Sequence, residues 1–362
     1  MKIRNLATLT LCLGMVVTSC KKDDNNGDFF APIRDKQEVY DENIIEIEEY
    51  LATHFYNYDE FQQNPIYSDL STNPYTVTPN DTFKIVFDTI AGANSNKIPL
   101  IDQVAHSIVK DPEGIEHKLY YLTVREGTGG DIHPIDQVFA SYKGYLINGE
   151  VFDSAVSGIP FHLTSVGTVR GVVIGFSEGI TKFKARESFT EVGDGTIINH
   201  NHGIGAVFVP SGLGYFAQNQ LAIPAYSNLI FAFNSEKRTL LDHDNDGVFS
   251  YLEDLNGNKN YYDDDTNGNG VANFLDPDDD GDGIPTKDEI QWNVYTQDAN
   301  MQPFNTYQEA EAFYNNTVTD PEEELLYSII DNNNGTFTLK TVIYIDSNGN
   351  GIPDYLDPTY PG

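Results

Sequence analysis

Cysteine is nearly missing from this chain, with only Cys12 and Cys20 among its 362 residues. Both stand near the N-terminus, so everything downstream must fold without a disulfide. Basic residues are also scarce: 21 Lys and Arg against 55 Asp and Glu leave a net charge of −34. That balance excludes nucleic acid as a partner, because its phosphates would be repelled. Long apolar runs are absent beyond the first residues, and none approaches the roughly 20 residues of a membrane-spanning helix. What remains is enough chain for two or three units, at least one of them with a proper core.

The charge that is present is unevenly spread. Between Asp242 and Glu289 fifteen acids face two lysines. Such a block is either solvated and disordered or neutralised by cations.

At the N-terminus Lys2 and Arg4 precede an apolar run from Leu6 to Val17, closed by Val17-Thr18-Ser19-Cys20. This reads as a targeting segment over 1–19, outside the fold. Its end resembles the lipobox of bacterial lipoproteins, which implies lipidation at Cys20 and export to a lipid-anchored place in the cell envelope. Lys21-Lys22-Asp23-Asp24 resembles the signal of lipoproteins sent to the outer membrane surface, and residues 20–39 read as linker.

An accessory segment is expected over 40–117. Tyr40, Ile44, Ile47, Leu51 and Phe55 recur at helical spacing, with Asp41 near the start. Prolines then break the chain, and one strand is expected at Phe83–Phe87.

From Lys118 the pattern turns to strands: 118–125, 137–146, a hairpin through Asn148-Gly149, 207–209 and 228–233, with a short helix over 176–183. Along this stretch come Tyr142-x-Gly, Phe152-Asp153-Ser, Pro160-Phe161, Val172-Val173-x-Gly-Phe176-x-Glu-Gly, Pro210-Ser-Gly-Leu-Gly-Tyr215, Ile223-Pro and Leu229-x-Phe231. This order resembles the FKBP-type peptidyl-prolyl isomerases over 118–240, about a third of the chain. The resemblance implies an α+β fold, an antiparallel sheet wrapped around a short helix with the active pocket between them. It implies that Tyr142, Phe152, Asp153, Phe161, Val172, Val173, Phe176, Tyr215, Ile223 and Phe231 line that pocket. Proline-containing polypeptides would be the substrates, and no cofactor would be needed for catalysis.

Three departures from the family pattern stand out. Phe176 replaces the usual pocket tryptophan, Gly171 replaces a Glu or Gln, and Phe216 replaces a glycine after the loop tyrosine. A long insertion over 184–205 follows the helix, and its His200 and His202 are expected to face solvent in a Gly/Asn-rich loop.

The acidic block is periodic. Asp242, Asp244, Asp246 and Glu253 occupy places one, three, five and twelve of a calcium loop, with Gly247 at six. The same spacing recurs as Asp265, Asn267, Asn269 and Asp276, as Asp278, Asp280, Asp282 and Glu289, and as Asp346, Asn348, Asn350 and Asp357. A looser copy spans Asp254, Asn256, Asn258 and Asp265, with Lys259 in the glycine place. The loops over 242–289 abut too closely for flanking EF-hand helices, and the array resembles thrombospondin type 3-like calcium repeats, in which chain wraps ions with little hydrophobic core. Structural calcium is therefore expected there. Residues 290–345 intervene before the last loop at 346–362, with a helix near 307–314 and a strand over 336–345.

Two functions follow. One is a lipid-anchored prolyl isomerase that assists folding of exported proteins. The other is an envelope protein that binds a partner through the same pocket, or the calcium array, without turnover.

Overall fold

The computed structural model describes residues 32–61, 79–191, 195–318 and 323–360. The targeting segment and Cys20 lie outside the described residues. The chain divides into two units, Met1–Arg34 and Asp35–Gly362. Of the first, only 32–34 are described, and they carry no helix or strand.

The second unit is a mixed α/β structure with antiparallel sheets and three α-helices among the described residues. In chain order the elements are α1 (Lys36–Thr53), β1 (His54–Tyr56), β2 (Phe87–Thr89), β3 (Val104–Lys110), β4 (Glu116–Arg125), β5 (Gln137–Leu146) and β6 (Val151–His162). Then follow α2 (Ile174–Ile180), β7 (Ser188–Glu191), β8 (Ile197–His200), β9 (Gly203–Val209) and β10 (Leu229–Thr239). The last are β11 (Gln291–Tyr295), α3 (Tyr307–Thr317), β12 (Glu324–Asp331) and β13 (Phe337–Ile343).

The main sheet has six strands in the order β3-β4-β9-β10-β5-β6, every neighbouring pair antiparallel. Successive side chains of a strand point to opposite faces. Here both faces are covered. Val207, Val209, Leu229, Phe231 and Phe233 pack with Phe176 and Ile180 of α2 and with Phe183 beyond it. On the other face Ile204, Ala206, Phe208, Ile230 and Ala232 meet Ile47, Tyr50 and Leu51 of α1, with Phe83, Ile85 and Leu100. The 40–117 segment is therefore no appendage. It closes one face of the sheet and supplies the edge strand β3.

Helix α1 begins four residues before the expected start. Asp35 caps it, its Oδ1 accepting from Glu38 N–H at 2.9 Å. The strand expected over 83–87 does not form as such. Phe83 and Ile85 are buried, but ladder pairing starts only at Phe87, opposite Tyr56. The Asn57 side chain takes the intervening backbone groups, accepting from Val86 N–H at 2.8 Å and donating to Lys84 O at 3.2 Å.

The insertion after α2 is a small hairpin, β7 paired with β8, rather than an open loop. Its histidines are not solvent-facing: His200 and His202 are each 1% exposed. Asn234 Nδ2 donates to His202 Nε2 at 3.0 Å, and Nδ1 lies 3.2 Å from both Asn199 O and Arg125 Nη2.

The acidic loops are seated on apolar clusters. Tyr261, Ala272 and Phe274 pack with Ile135. Val248, Ile290, Val342 and Tyr355 form another cluster between the first loop, the last loop and the three-stranded sheet β11-β13-β12. His133 stacks on Tyr251 at 4.0 Å, and Tyr262 donates to Ser165 O at 3.1 Å, so the loops also dock on the turns beside β5 and β6.

Candidate functional site

The β5–β6 hairpin builds one wall of the site. Gly149 turns it with φ at 88°, a left-handed value that favours glycine, and Gly149 N–H reaches Leu146 O at 2.9 Å. The register sets Gly144 opposite Asp153, and β10 sets Phe231 opposite Gly144. A Cβ on Gly144 would collide with the outer end of the Phe152 ring, so glycine there leaves that ring its place. This explains the Tyr142-x-Gly spacing and adds Gly144 to the residues that shape the site.

Helix α2 closes the other wall. It lies close to β9 because Gly175 and Gly179 face Val209 and Val207 with no room for a Cβ. Phe176, 2% exposed, is thereby held against Phe231 at 5.1 Å and Phe161 at 5.5 Å between ring centroids. Phe152 meets Phe231 edge-on at 5.5 Å, and Tyr142 meets Phe161 edge-on at 5.3 Å. The result is an aromatic box around a cavity of about 100 Å³, lined by Tyr142, Phe152, Asp153, Phe161, Val172, Val173, Phe176, Tyr215 and Phe231. Ile223 is not in the lining. It is buried in the core next to it, behind the turn it forms with Gln220.

The polar groups of this box are few. The Tyr142 hydroxyl donates to Asp153 Oδ2, and Asp153 Oδ1 accepts from Ser154 N–H at 2.8 Å. Burial, and then the bond to Asp153, push the Tyr142 phenol above its ordinary range. Burial and the Asp153 charge do the same for Tyr215. Among the described residues neither the Val173 N–H nor the Tyr215 hydroxyl has a hydrogen-bond partner. Both belong to residues of the lining.

Gly171 and Phe216 are each set by local contacts. At Gly171 a Cβ would run into the backbone of Thr164 and Ser165, and its N–H is bound by Ser165 Oγ at 2.9 Å. Phe216 sits at a φ of 48°, a left-handed position that favours glycine. Its ring is held edge-on by Tyr226 at 5.2 Å, with Lys36 of α1 over it at 5.4 Å. The same helix reaches the Tyr215 loop through Asn43, whose Oδ1 accepts from Ser211 N–H at 2.9 Å and Ser211 Oγ at 2.6 Å.

The four acidic loops share one backbone design. Place one accepts from the glycine N–H at place six in the first, second and last loops: Gly247 to Asp242 at 2.9 Å, Gly270 to Asp265 at 2.9 Å and Gly351 to Asp346 at 2.8 Å. Place five accepts from the N–H at place seven in all four, at 2.7 to 2.8 Å. The loops then divide into two kinds. In the second and last, the asparagines at places three and five donate to the twelfth residue: Asn267 and Asn269 to Asp276 at 3.0 and 2.7 Å, Asn348 and Asn350 to Asp357 at 2.9 and 2.7 Å. In the first and third loops those places hold aspartates, which have no proton to give. Among the described residues one buried oxygen each of Asp244, Asp246, Asp280 and Asp282 has no partner, nor have Glu289 Oε1 and both oxygens of Glu253. Burial beside Asp246, Asp279 and Asp244 pushes Glu253 up to about 11, and burial beside Asp280 and Asp282 pushes Glu289 up to about 8. An all-carboxylate set of this kind suits a hard cation such as calcium. In the looser copy the closing groups are Asp263 and Asp264, which accept from Asn256 at 3.2 and 3.0 Å, while Asp265 opens the next loop. Asp279 and Asp264 went unmarked in the sequence because neither holds a ligand place in its own loop.

No curated protein matches this chain. A family model described as BamM C-terminal matches residues 243–321. Among solved structures, the peptidyl-prolyl cis-trans isomerase of Pseudomonas syringae pv. tomato is 17% identical, with a TM-score of 0.27, covering 36% of this chain and 80% of that one. FkpA from Escherichia coli is 24% identical with a TM-score of 0.27, covering 36% of this chain and about half, 51%, of that one. The N-terminal domain of FKBP42 from Arabidopsis thaliana is 14% identical with a TM-score of 0.26, covering 33% of this chain and 86% of that one.

Proposed function

We propose that the chain is a peptidyl-prolyl cis-trans isomerase of the FKBP type that acts on Xaa-Pro bonds of exported polypeptides, anchored in the envelope through a lipid on Cys20. The observation that carries this reading is the convergence of six aromatic rings, two hydrogen-bonding groups without partners among the described residues and one carboxylate on a single small cavity. The BamM C-terminal match over 243–321 is consistent with an envelope location.

The chemistry asked of the site is modest. Rotation about a peptide bond is opposed by ~18–20 kcal/mol of lost amide resonance. The planar amide is charge-separated and prefers water, whereas the twisted amide is less so and prefers an apolar box. Binding the twisted form better than the planar one lowers the barrier without proton transfer or a covalent step. Phe152, Phe161, Phe176 and Phe231 would hold the proline ring. Val173 N–H and the Tyr215 hydroxyl would grip flanking carbonyls. Asp153, fixed by Tyr142, would stand beside the turning amide.

We also propose that the loops at 242–253, 265–276, 278–289 and 346–357 hold structural calcium, which would neutralise the buried carboxylates and brace the C-terminal half. The residues to hold it are the oxygen-bearing side chains at places one, three, five and twelve of each loop.

A second reading, a binding protein without turnover, is favoured by one observation: Phe176 forms the pocket floor with a smaller ring than tryptophan and no indole N–H. A protease-coupled assay on a proline peptide separates the two, using the full chain in detergent with and without calcium. The first reading expects acceleration over the uncatalysed rate that is lost in Asp153→Ala and Phe152→Ala. Peptide binding with no acceleration would establish the second.

A further inference from the structure

The third loop contributes a carboxylate to the first. Asp279 stands at place two of its own loop, between the ligand places Asp278 and Asp280. It is 0% exposed, and its carboxylate lies with those of Asp246 and Glu253, the three offering oxygens all within 4.8 Å of one another. Asp246 in turn groups with Asp242 and Asp244, so five carboxylates from two loops share one locus.

Two features mark this as a built site rather than a chance crowding of acids. Glu253 is 1% exposed, and among the described residues neither of its oxygens has a hydrogen-bond partner. Asp279 is aimed from its other side: Thr286 Oγ1 donates to Oδ2 at 3.0 Å, while Oδ1 is left without a partner. Buried carboxylates without donors cost several kcal/mol each unless a cation or proton compensates them. An exposed acidic surface would need no such orientation.

We propose that Asp279 is a ligand for the divalent cation of the first loop, calcium by its donor chemistry, so that one ion ties the first loop to the third. This rests on the reading of the loops as calcium-binding and extends it. The ligand set of the first site is then no longer local in sequence, because Asp279 stands 26 residues after Glu253 and 37 after Asp242, and filling the site fixes two loops at once. The outward position of place two in a lone loop becomes an inward one when two loops face each other.

The test is calcium titration by calorimetry of the full chain in detergent, with Asp279→Asn, Glu253→Gln, Asp280→Asn and the double variants Asp279→Asn/Glu253→Gln and Asp279→Asn/Asp280→Asn. Asparagine keeps the size of Asp279 and can still accept from Thr286. Asp279→Ser gives the same comparison should the amide disturb the loop. The expected result is that Asp279→Asn weakens one class of site by about tenfold or more. Glu253→Gln should weaken that same class, and the double variant should fall well short of the product of the two. Asp280→Asn should weaken a different class and combine with Asp279→Asn independently. Unchanged affinities in both Asp279 variants, or coupling of Asp279 to Asp280 instead of Glu253, would overturn the cross-loop ligand alone. A native chain that takes up no calcium would overturn the reading of the loops and this inference with it.

Discussion

The Phe152 ring occupies the space that a Cβ on Gly144 would need, one strand away in the same hairpin. The pocket wall is therefore set by an absent side chain as much as by a present one. Gly144→Ala should push the ring toward the cavity or out of it, since Phe231 already meets Phe152 on β10. If the pocket turns over proline peptides, kcat/KM should fall by about ten- to a hundredfold, the scale of a misplaced positioning group. The melting temperature should change little, because β5 keeps its ladder to β10. An unchanged kcat/KM would show that the ring does not shape the site.

Val173 has a φ of −64°, close to the value a proline ring imposes. Val173→Pro therefore removes the N–H while keeping apolar bulk and backbone shape. If that N–H grips a substrate carbonyl, peptide affinity should drop by about tenfold, the worth of one hydrogen bond of ~1.5 kcal/mol. Thermal unfolding should stay close to the native value, which separates a lost contact from a lost fold.

Asn43 links α1 to the loop that carries Tyr215, and it is 4% exposed. Asn43→Ala would leave the Ser211 N–H and hydroxyl without their acceptor in a buried place. Stability should fall by about 2–6 kcal/mol, from two unsatisfied donors at ~1–3 kcal/mol each. Peptide affinity should fall as well, because Ser211 anchors the turn before Tyr215. Chemical unfolding and a peptide titration on one variant check both parts.

His202 is buried, and burial, with Arg125 next, lowers its pKa to about 3 from the ordinary 6.5. The unfolded chain therefore binds one more proton than the folded chain between those two values. Stability from this residue is complete above pH 6.5 and declines as pH falls toward 3, by about 1.4 kcal/mol per pH unit within the window. His202→Gln should flatten that part of the profile relative to the native chain. Denaturant titrations at pH 7 and pH 4.5 measure the difference, and equal slopes in the two proteins would refute the assignment.

The pocket was legible in the sequence because its residues come in a fixed order of short motifs, each with its own turn chemistry. Asn148-Gly149 sets the hairpin, and nine of the ten named side chains line one cavity. Ile223 lies one layer back because its turn points it into the core. What was not legible depended on contacts distant in sequence. The runs Gly203–Val209 and Leu229–Phe233 are apolar at nearly every position, which in an antiparallel strand means that both faces are covered. That signal pointed to a second layer, but nothing local named α1 as its source. His200 and His202 sat in polar surroundings in the sequence and are buried, His202 against Asn234 and Arg125 and His200 against Thr190 of β7. Asp279 was passed over because loop spacing counts only within one loop.

The two-faced sheet also decides where the protein can be cut. A fragment starting at Lys118 would lose α1 and β3 together. Tyr120, Leu122, Ile204, Phe208 and Ile230 would then form an open apolar surface beside a bare strand edge on β4. Such a piece would aggregate rather than work alone. A cut that keeps both covering layers of the sheet begins at Asp35.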